Sequence, residues 1–454
     1  MQPTFKSVFP WNQELIAEYP LLKDAELEER IKKTSSAFAV WKNKSFAQRA
    51  DVLIKTARLM RRDHEKLATL ISREMGKAIA ESRAEVEKCA WVCDYYAENA
   101  AAFLKDEIRQ AGYTRSIVVC QPIGAVLAIM PWNFPFWQVF RFAAPTLMAG
   151  NTALLKHAPN VCGCAKAIEK LFLEAGADAG VFTSLIVDTP VVERIISAGI
   201  VQAVTLTGSG RAGSSVAALA GKHIRKSVME LGGSDALVVL ADADIKKAAI
   251  TAVQSRMQNA GQSCIAAKRF IAVQPVQDIF LQEISTEIKK LKQGNPLETD
   301  ITTGPLARQD LAIHLQKQME ASIQKGAKLI FGNETDGCNI NPSLITGIQK
   351  GMPVFDEETF GPVAVVVTAK DEDDAIRLAN DSIYGLGGSI WTRDLDKGMA
   401  LAKKMESGAV FINTLVKSDP RLPFGGIKQS GYGRELGSEG IREFVNIKTI
   451  AAQA

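Results

Sequence analysis

Two residues 34 positions apart, Glu230 and Cys264, could do covalent chemistry together. Glu230 stands in Val228-Met229-Glu230-Leu231-Gly232-Gly233-Ser234, and Cys264 closes Asn259-Ala260-Gly261-Gln262-Ser263-Cys264. A cysteine attacks as its thiolate, and a nearby carboxylate can take its proton or later activate a water. Alone, a Glu before Leu-Gly-Gly reads as a solvated strand end, and a Cys in an apolar run as buried filler.

Other stretches carry polar groups that such chemistry could use. Pro131-Trp132-Asn133-Phe134-Pro135 offers one side-chain amide, Asn133, in a turn stiffened by two prolines. An amide donor suits an oxyanion, and the plainer role is a capped turn. Gly208-Ser209-Gly210-Arg211-Ala212-Gly213 fits G-x-G-x-x-G literally, which would make Glu230 the ribose acid. Three candidate strands precede this motif, whereas the dinucleotide fingerprint follows the first strand, so that assignment is set aside. Lys156, in Leu155-Lys156-His157-Ala158-Pro159, ends a strand and could meet a phosphate, a ribose or only water. Glu357 and Glu358 could form an acid/base pair, but neighbours in a strand point to opposite faces.

Taken together, Glu-Leu-Gly-Gly, Gly-Gln-Ser-Cys at its spacing, Pro-Trp-Asn-Phe-Pro, Thr207-Gly208-Ser209, Glu357-Glu358-Thr359-Phe360-Gly361-Pro362 and Pro423-Phe424-Gly425-Gly426 resemble the aldehyde dehydrogenase superfamily over nearly the whole chain. The resemblance implies that Cys264 attacks an aldehyde, Glu230 is the general base and Asn133 holds the oxyanion. It implies a nicotinamide dinucleotide held by Pro131, Trp132, Lys156, Pro159, Gly208, Ser209, Glu230, Leu231, Gly232, Glu358 and Phe360. Relatives specific for NAD carry a Glu at the position of Pro159; its replacement here, with Lys156 near, implies NADP ahead of NAD. Ile265 and Ala266 follow the nucleophile, so no local disulfide switch is expected. Trp137-Gln138-Val139-Phe140-Arg141 and Lys417-Ser418-Asp419-Pro420-Arg421 look most like the short bacterial succinate-semialdehyde dehydrogenases. Arg141, with Trp137 and Ser418, is then expected to hold the substrate's distal carboxylate, since a guanidinium fork fits one. A CoA-acylating semialdehyde dehydrogenase is the rival enzyme, although its pattern usually lacks the Glu at position 230. A non-catalytic protein on the same fold is the rival outside catalysis.

These residues need elements to hold them. At 454 residues, 47% hydrophobic and 23% charged, the chain has the composition of a globular protein large enough for two or more domains. A net charge of +4 argues against a dedicated nucleic-acid surface. No apolar run suggests a membrane span or a secretory signal, and the cytoplasm is the expected location. Seven scattered cysteines are no disulfide framework, and the four histidines lie too far apart in sequence to suggest a metal site.

Apolar spacings of three and four predict helices over 24–104, with Ser45 and Gln48 as a capping box and a break at Gly76. Residues 112–122 read as extended. From 123, strands at 124–130, 152–156, 183–187, 202–206 and 235–240 alternate with helices near 138–148, 162–175, 190–198 and 210–221. A second series has strands at 268–273, 363–368, 387–391 and 409–412 and helices near 276–293, 308–325, 372–380 and 394–406. The tail ends in a strand. Such alternation predicts an α/β protein with parallel sheets and ligands at the strands' carboxyl ends. With the resemblance, this gives a Rossmann-like cofactor domain (1–107 and 123–231), a second α/β catalytic domain (232–430) and a small oligomerisation arm (108–122 and 431–454), implying a homodimer or homotetramer.

Overall fold

The computed structural model describes residues 2–454. The chain opens with an antiparallel hairpin, β1 (Thr4–Val8) and β2 (Leu15–Pro20), which has no counterpart in the expected pattern. Four helices follow: α1 (Asp24–Trp41), α2 (Phe46–Arg62), α3 (His64–Met75) and α4 (Ile79–Phe103). The start of α2 is a capping box: Gln48 N–H donates to Ser45 Oγ at 3.3 Å, and Ser45 N–H donates to Gln48 Oε1 at 2.8 Å. Gly76 ends α3 at φ 82°, a left-handed C-cap that glycine adopts without strain.

After β3 (Glu107–Ile108) and β4 (Arg115–Pro122) come β5 (Ala125–Met130), α5 (Trp137–Met148), β6 (Thr152–His157), α6 (Cys162–Glu174), β7 (Phe182–Ser184), α7 (Val192–Ser197), β8 (Val201–Thr207), α8 (Gly210–Lys222) and β9 (Lys226–Glu230). The first large sheet runs from the short strand Gly431–Tyr432 through β9, β8, β5 and β6 to β7. Its strands are parallel except for Gly431–Tyr432. β9 is absent from the expected strands. Lys226-Ser227 opens it without an apolar signal, and only pairing along β8 makes it a strand. It matters here because Glu230 is its last residue.

The stretch Asp235–Val239 (β10), read above as continuing the first series, belongs to the other sheet. It lies between β11 (Ala267–Val273) and Gly387–Trp391, parallel to both. That seven-stranded sheet also takes in Val363–Ala369, Ala409–Ile412 and two strands with no expected counterpart, Lys328–Phe331 and Ser343–Thr346. β11 is approached through helix α9 (Ile245–Met257). Residues 115–122 do not fold on themselves. β4 pairs antiparallel along its length with Val445–Ala452, and β3 adds two residues on its other side. The architecture is thus α/β: two mainly parallel sheets covered by helices, plus a three-stranded ribbon. No helix is long and apolar enough to cross a membrane among the described residues.

Candidate active site

Three turns leave the carboxyl ends of neighbouring strands β5, β8 and β9, the edge where parallel sheets bind ligands. The turn after β5 carries Pro131 to Pro135 and is braced by His157 at the end of β6. The His157 ring nitrogen Nε2 donates to the Pro135 carbonyl at 2.8 Å, while Nδ1 accepts from Ala158 N–H at 2.9 Å. Burial drives this imidazole's pKa down to about 4, so it stays neutral. Glu85, on α4, accepts hydrogen bonds of 2.9 Å from both Phe136 and Trp137 N–H and so caps α5 from outside. All twelve residues of α5 are buried, which fixes the direction of Trp137, Gln138 and Arg141.

The turn after β8 opens α8, with Ser209 as N-cap accepting from Ala212 N–H. A Cβ at position 213 would press on the Leu231 side chain beyond β9, which would have to shift. Gly232 likewise leaves space for the Glu358 carboxylate, which accepts from Gly233 N–H at 3.1 Å and forms an ion pair with Lys268 at 3.3 Å. Phe360 meets Trp132 edge to face, centroids 5.8 Å apart.

Cys264 comes from the other sheet's side. Asn259, Ala260 and Gly261 before it all have left-handed backbone, φ 54°, 51° and 74°. Side chains hold this strained run. Asn259 Nδ2 donates to the carbonyls of Asn133 (2.7 Å) and Gln262 (3.1 Å), and Asn133 Nδ2 donates to Gln262 O at 3.0 Å. Lys268 Nζ donates to the carbonyls of Ser263 and Cys264 at 2.8 and 2.7 Å. Cys264 touches open cavity space, so water reaches part of it, yet protein surrounds the thiol closely. Burial therefore pushes its pKa up to about 11, against the opposing pull of Arg141 and Lys268.

Cys264 and Gln138 form part of the wall of two cavities. The outer, about 540 Å³, is also walled by Pro131, Trp132, Asn133, Gly208, Ser209, Leu231, Gly232, Glu358 and Phe360. The inner, about 430 Å³, has Trp137, Arg141 and Ser418 on its wall, with Lys88, Phe134 and Phe424. The structure thus brings together most of the residues singled out from the sequence. Lys156 and Pro159 sit at the end of β6 and do not line the outer cavity; Pro159 is exposed. Glu230 lines neither cavity. It is buried, its carboxyl makes no hydrogen bond among the described residues, and it packs against Gly425.

Arg141, on the wall of the inner cavity, also has partners within the protein. It is 1% exposed and forms a buried ion pair with Glu435; Nη2 donates to Thr207 Oγ1 at 3.3 Å, and the guanidinium lies over the Phe424 ring. Removing one partner of such a pair strands the other and costs about 3–5 kcal/mol. Burial raises the pKa of both Glu230 and Glu435; the nearby Glu435 pushes Glu230 further up, while Arg141 pulls both down.

Several residues here carried no sequence signal: Lys88, Glu85, Arg256, Lys268 and Glu435. Each is one charged side chain on a helix, strand or turn that reads as solvated. Only a partner remote in the chain gives it meaning.

A sequence model described as the aldehyde dehydrogenase family matches residues 1–450. A Synechocystis protein described as a probable succinate-semialdehyde dehydrogenase [NADP(+)] is 46% identical over 94% of each chain. The Escherichia coli succinate semialdehyde dehydrogenase [NAD(P)+] Sad is 42% identical over 98% of this chain and 97% of its own. The crystal structure of succinic semialdehyde dehydrogenase from Streptococcus pyogenes with NADP+ superposes with a TM-score of 0.97 at 36% identity, covering 99% of this chain and 100% of that one.

Proposed function

Because the chain belongs to the aldehyde dehydrogenase family, we propose that it oxidises succinate semialdehyde to succinate with a nicotinamide dinucleotide, NADP+ ahead of NAD+. The observation that carries this reading is the position of Cys264 on the wall of two cavities, one with the features of a dinucleotide cleft and one lined by cations. The relatives named for this activity, and for NADP+, support the substrate and the cofactor. The residues present fit the cofactor. The N-terminus of α8 opens on the outer cavity, where backbone N–H groups favour a phosphate. Glu358 projects there with its carboxylate held by Gly233 and Lys268, ready to accept from ribose hydroxyls. Trp132 and Phe360 supply apolar walls.

The sulfur of Cys264 adds to the aldehyde carbon: a C–S bond forms, the S–H bond breaks, the carbonyl π pair moves to oxygen, and that oxygen takes up the thiol proton to complete the thiohemiacetal. The Asn133 amide stabilises that oxygen. When bound, the cofactor supplies the acceptor for the hydride that leaves the resulting thiohemiacetal carbon. The thioester on Cys264 is then opened by water. Glu230 takes the water's proton, and the carboxylate leaves as the thiol reforms. To reach the thioester, Glu230 has to turn from its packed place against Gly425, where no hydrogen bond anchors its carboxyl.

We read 1–107 with 123–231 as the cofactor domain and 232–430 as the catalytic domain. The segments 108–122 and 431–454 would join copies into a homodimer or homotetramer, working in the cytoplasm. Purified protein given succinate semialdehyde should reduce NADP+ faster than NAD+ and release succinate without CoA. A strict requirement for CoA, with an acyl-CoA product, would replace this reading by the acylating one.

A further inference from the structure

Lys268 lies near the start of β11 and is fully buried. Its strand is otherwise apolar except for Arg269, and an ammonium is costly to enclose unless its donors are used. Its Nζ donates to the carbonyls of two consecutive residues, Ser263 at 2.8 Å and Cys264 at 2.7 Å, and forms an ion pair with Glu358 at 3.3 Å. Ser263 O also accepts from Ala266 N–H at 3.2 Å, so this carbonyl is gripped from two sides. The Ser263 carbonyl and the Cys264 N–H belong to one peptide unit, and no peptide bond among the described residues is cis. In a trans peptide the C=O and N–H point in opposite directions. Fixing the oxygen at Lys268 therefore fixes the N–H on the side away from it. A cation on the oxygen also draws electron density from the amide nitrogen and makes the N–H a stronger donor. That N–H has no acceptor among the described residues, and it belongs to the residue whose sulfur attacks. Asn133 brings the other amide and spends one hydrogen on Gln262 O.

We infer that Lys268 is a positioning residue for carbonyl addition at Cys264: it aims and polarises the Ser263–Cys264 peptide so that the Cys264 N–H is ready for the oxyanion. The inference rests on Cys264 as the nucleophile in the reading proposed above. A cation that only packs the strand affects every reaction of Cys264 alike. An aimed amide matters only where negative charge grows on an oxygen.

The test uses two reagents that need no cofactor. Iodoacetamide alkylates the thiolate with loss of iodide and forms no oxyanion. Para-nitrophenyl acetate acetylates it through a tetrahedral oxyanion, which collapses to the thioester and para-nitrophenolate. Both rate constants scale with the thiolate fraction. Burial raises the Cys264 pKa while Arg141 and Lys268 oppose that rise, so replacing Lys268 changes this fraction. The ratio of the two rate constants at one pH cancels it. Adducts are counted by mass spectrometry on the peptide that contains Cys264. Losing an oxyanion donor outright costs on the order of 100- to 1,000-fold. In Lys268→Met the amide is kept but no longer held, and the ratio of acetylation to alkylation should fall roughly 10- to 100-fold. Lys268→Gln keeps a neutral donor and should fall less. Circular dichroism reports whether the methionine variant is folded; if it is not, the glutamine variant must show the fall. A folded variant that keeps the wild-type ratio, however far both rates drop, overturns the role of Lys268. A wild type alkylated but not acetylated at Cys264 overturns it as well. A wild type that fails to oxidise succinate semialdehyde, while the ratio behaves as expected, overturns the function proposed above and leaves Lys268 its role.

Discussion

Glu230 and Glu435 share a small buried space with Arg141, and one guanidinium cannot hold two carboxylates ionised at low cost. Glu435 has the ion pair with Arg141 and Glu230 has none, so burial and the neighbouring Glu435 hold the Glu230 carboxyl well above the usual carboxylate range. The charged groups facing it are Glu435, Arg141, Arg434 and Glu443. A base must be ionised to work, and a raised pKa means the ionised fraction grows as pH rises. Thioester hydrolysis should therefore accelerate as pH rises through that raised pKa. In Glu230→Gln that acceleration should vanish, and steady-state turnover should fall roughly 100- to 10,000-fold, the usual size of a general-base term. A rapid single-turnover burst of reduced cofactor should survive in the variant. Stopped-flow traces across pH separate the two phases, and a variant with unchanged steady-state turnover would remove Glu230 from the base role.

The segment leading into Cys264 is an element shaped against local preference. Three successive left-handed residues, two of them not glycine, cost about 1–2 kcal/mol for each non-glycine position. The fully buried Arg256 at the end of α9 helps to hold them. Its guanidinium donates to the carbonyls of Val363 at 2.6 Å and Thr359 at 2.9 Å, and also to those of Gly261 and Gly361. The two loops that flank the outer cavity are thereby tied to one side chain. Gly261 lies at their contact, where a Cβ would strike the Gly361 carbonyl. Gly261→Ala should therefore suffer twice, from the positive φ and from the collision. The expected loss is about 3 kcal/mol or more in urea unfolding, with loss of activity beyond the unfolded fraction. Wild-type stability in that variant would show that the loop relaxes freely and that its geometry is not enforced.

At the scale of the whole molecule, the ribbon stands apart from the two large sheets. Val445–Ala452 is exposed along nearly its whole length, and Ile447 and Ile450 show 60% and 44% of their surface. A strand edge with exposed branched aliphatic residues is a ready surface for pairing. We expect the double variant Ile447→Lys, Ile450→Lys to lower the mass measured by light scattering to that of one chain. The catalytic cavities, built from other elements, should keep binding NADP+. A wild type with the mass of one chain would overturn the homo-oligomer reading, and a variant that keeps a wild-type mass of several chains would put the contact elsewhere.

The sequence by itself carried what is local. Turns at strand ends, the capping box at Ser45, the helix break at Gly76 and the motifs around Asn133, Glu230, Cys264 and Glu358 are contiguous, and short-range backbone and side-chain preferences shape them. It also carried the alternation of strand and helix, because buried parallel strands are apolar runs wherever they lie in the fold. It did not carry partnership. Asp235–Val239 has no local feature that says which sheet it joins; its neighbours β11 and Gly387–Trp391 decide that. Arg141 reads from sequence as a substrate clamp and Lys88 as a solvated helix residue. Only tertiary structure brings Glu435 to Arg141 and Ser418 to Lys88 from the far end of the chain. The free energy of a charge depends on what surrounds it after packing, and that environment is assembled from segments hundreds of residues apart.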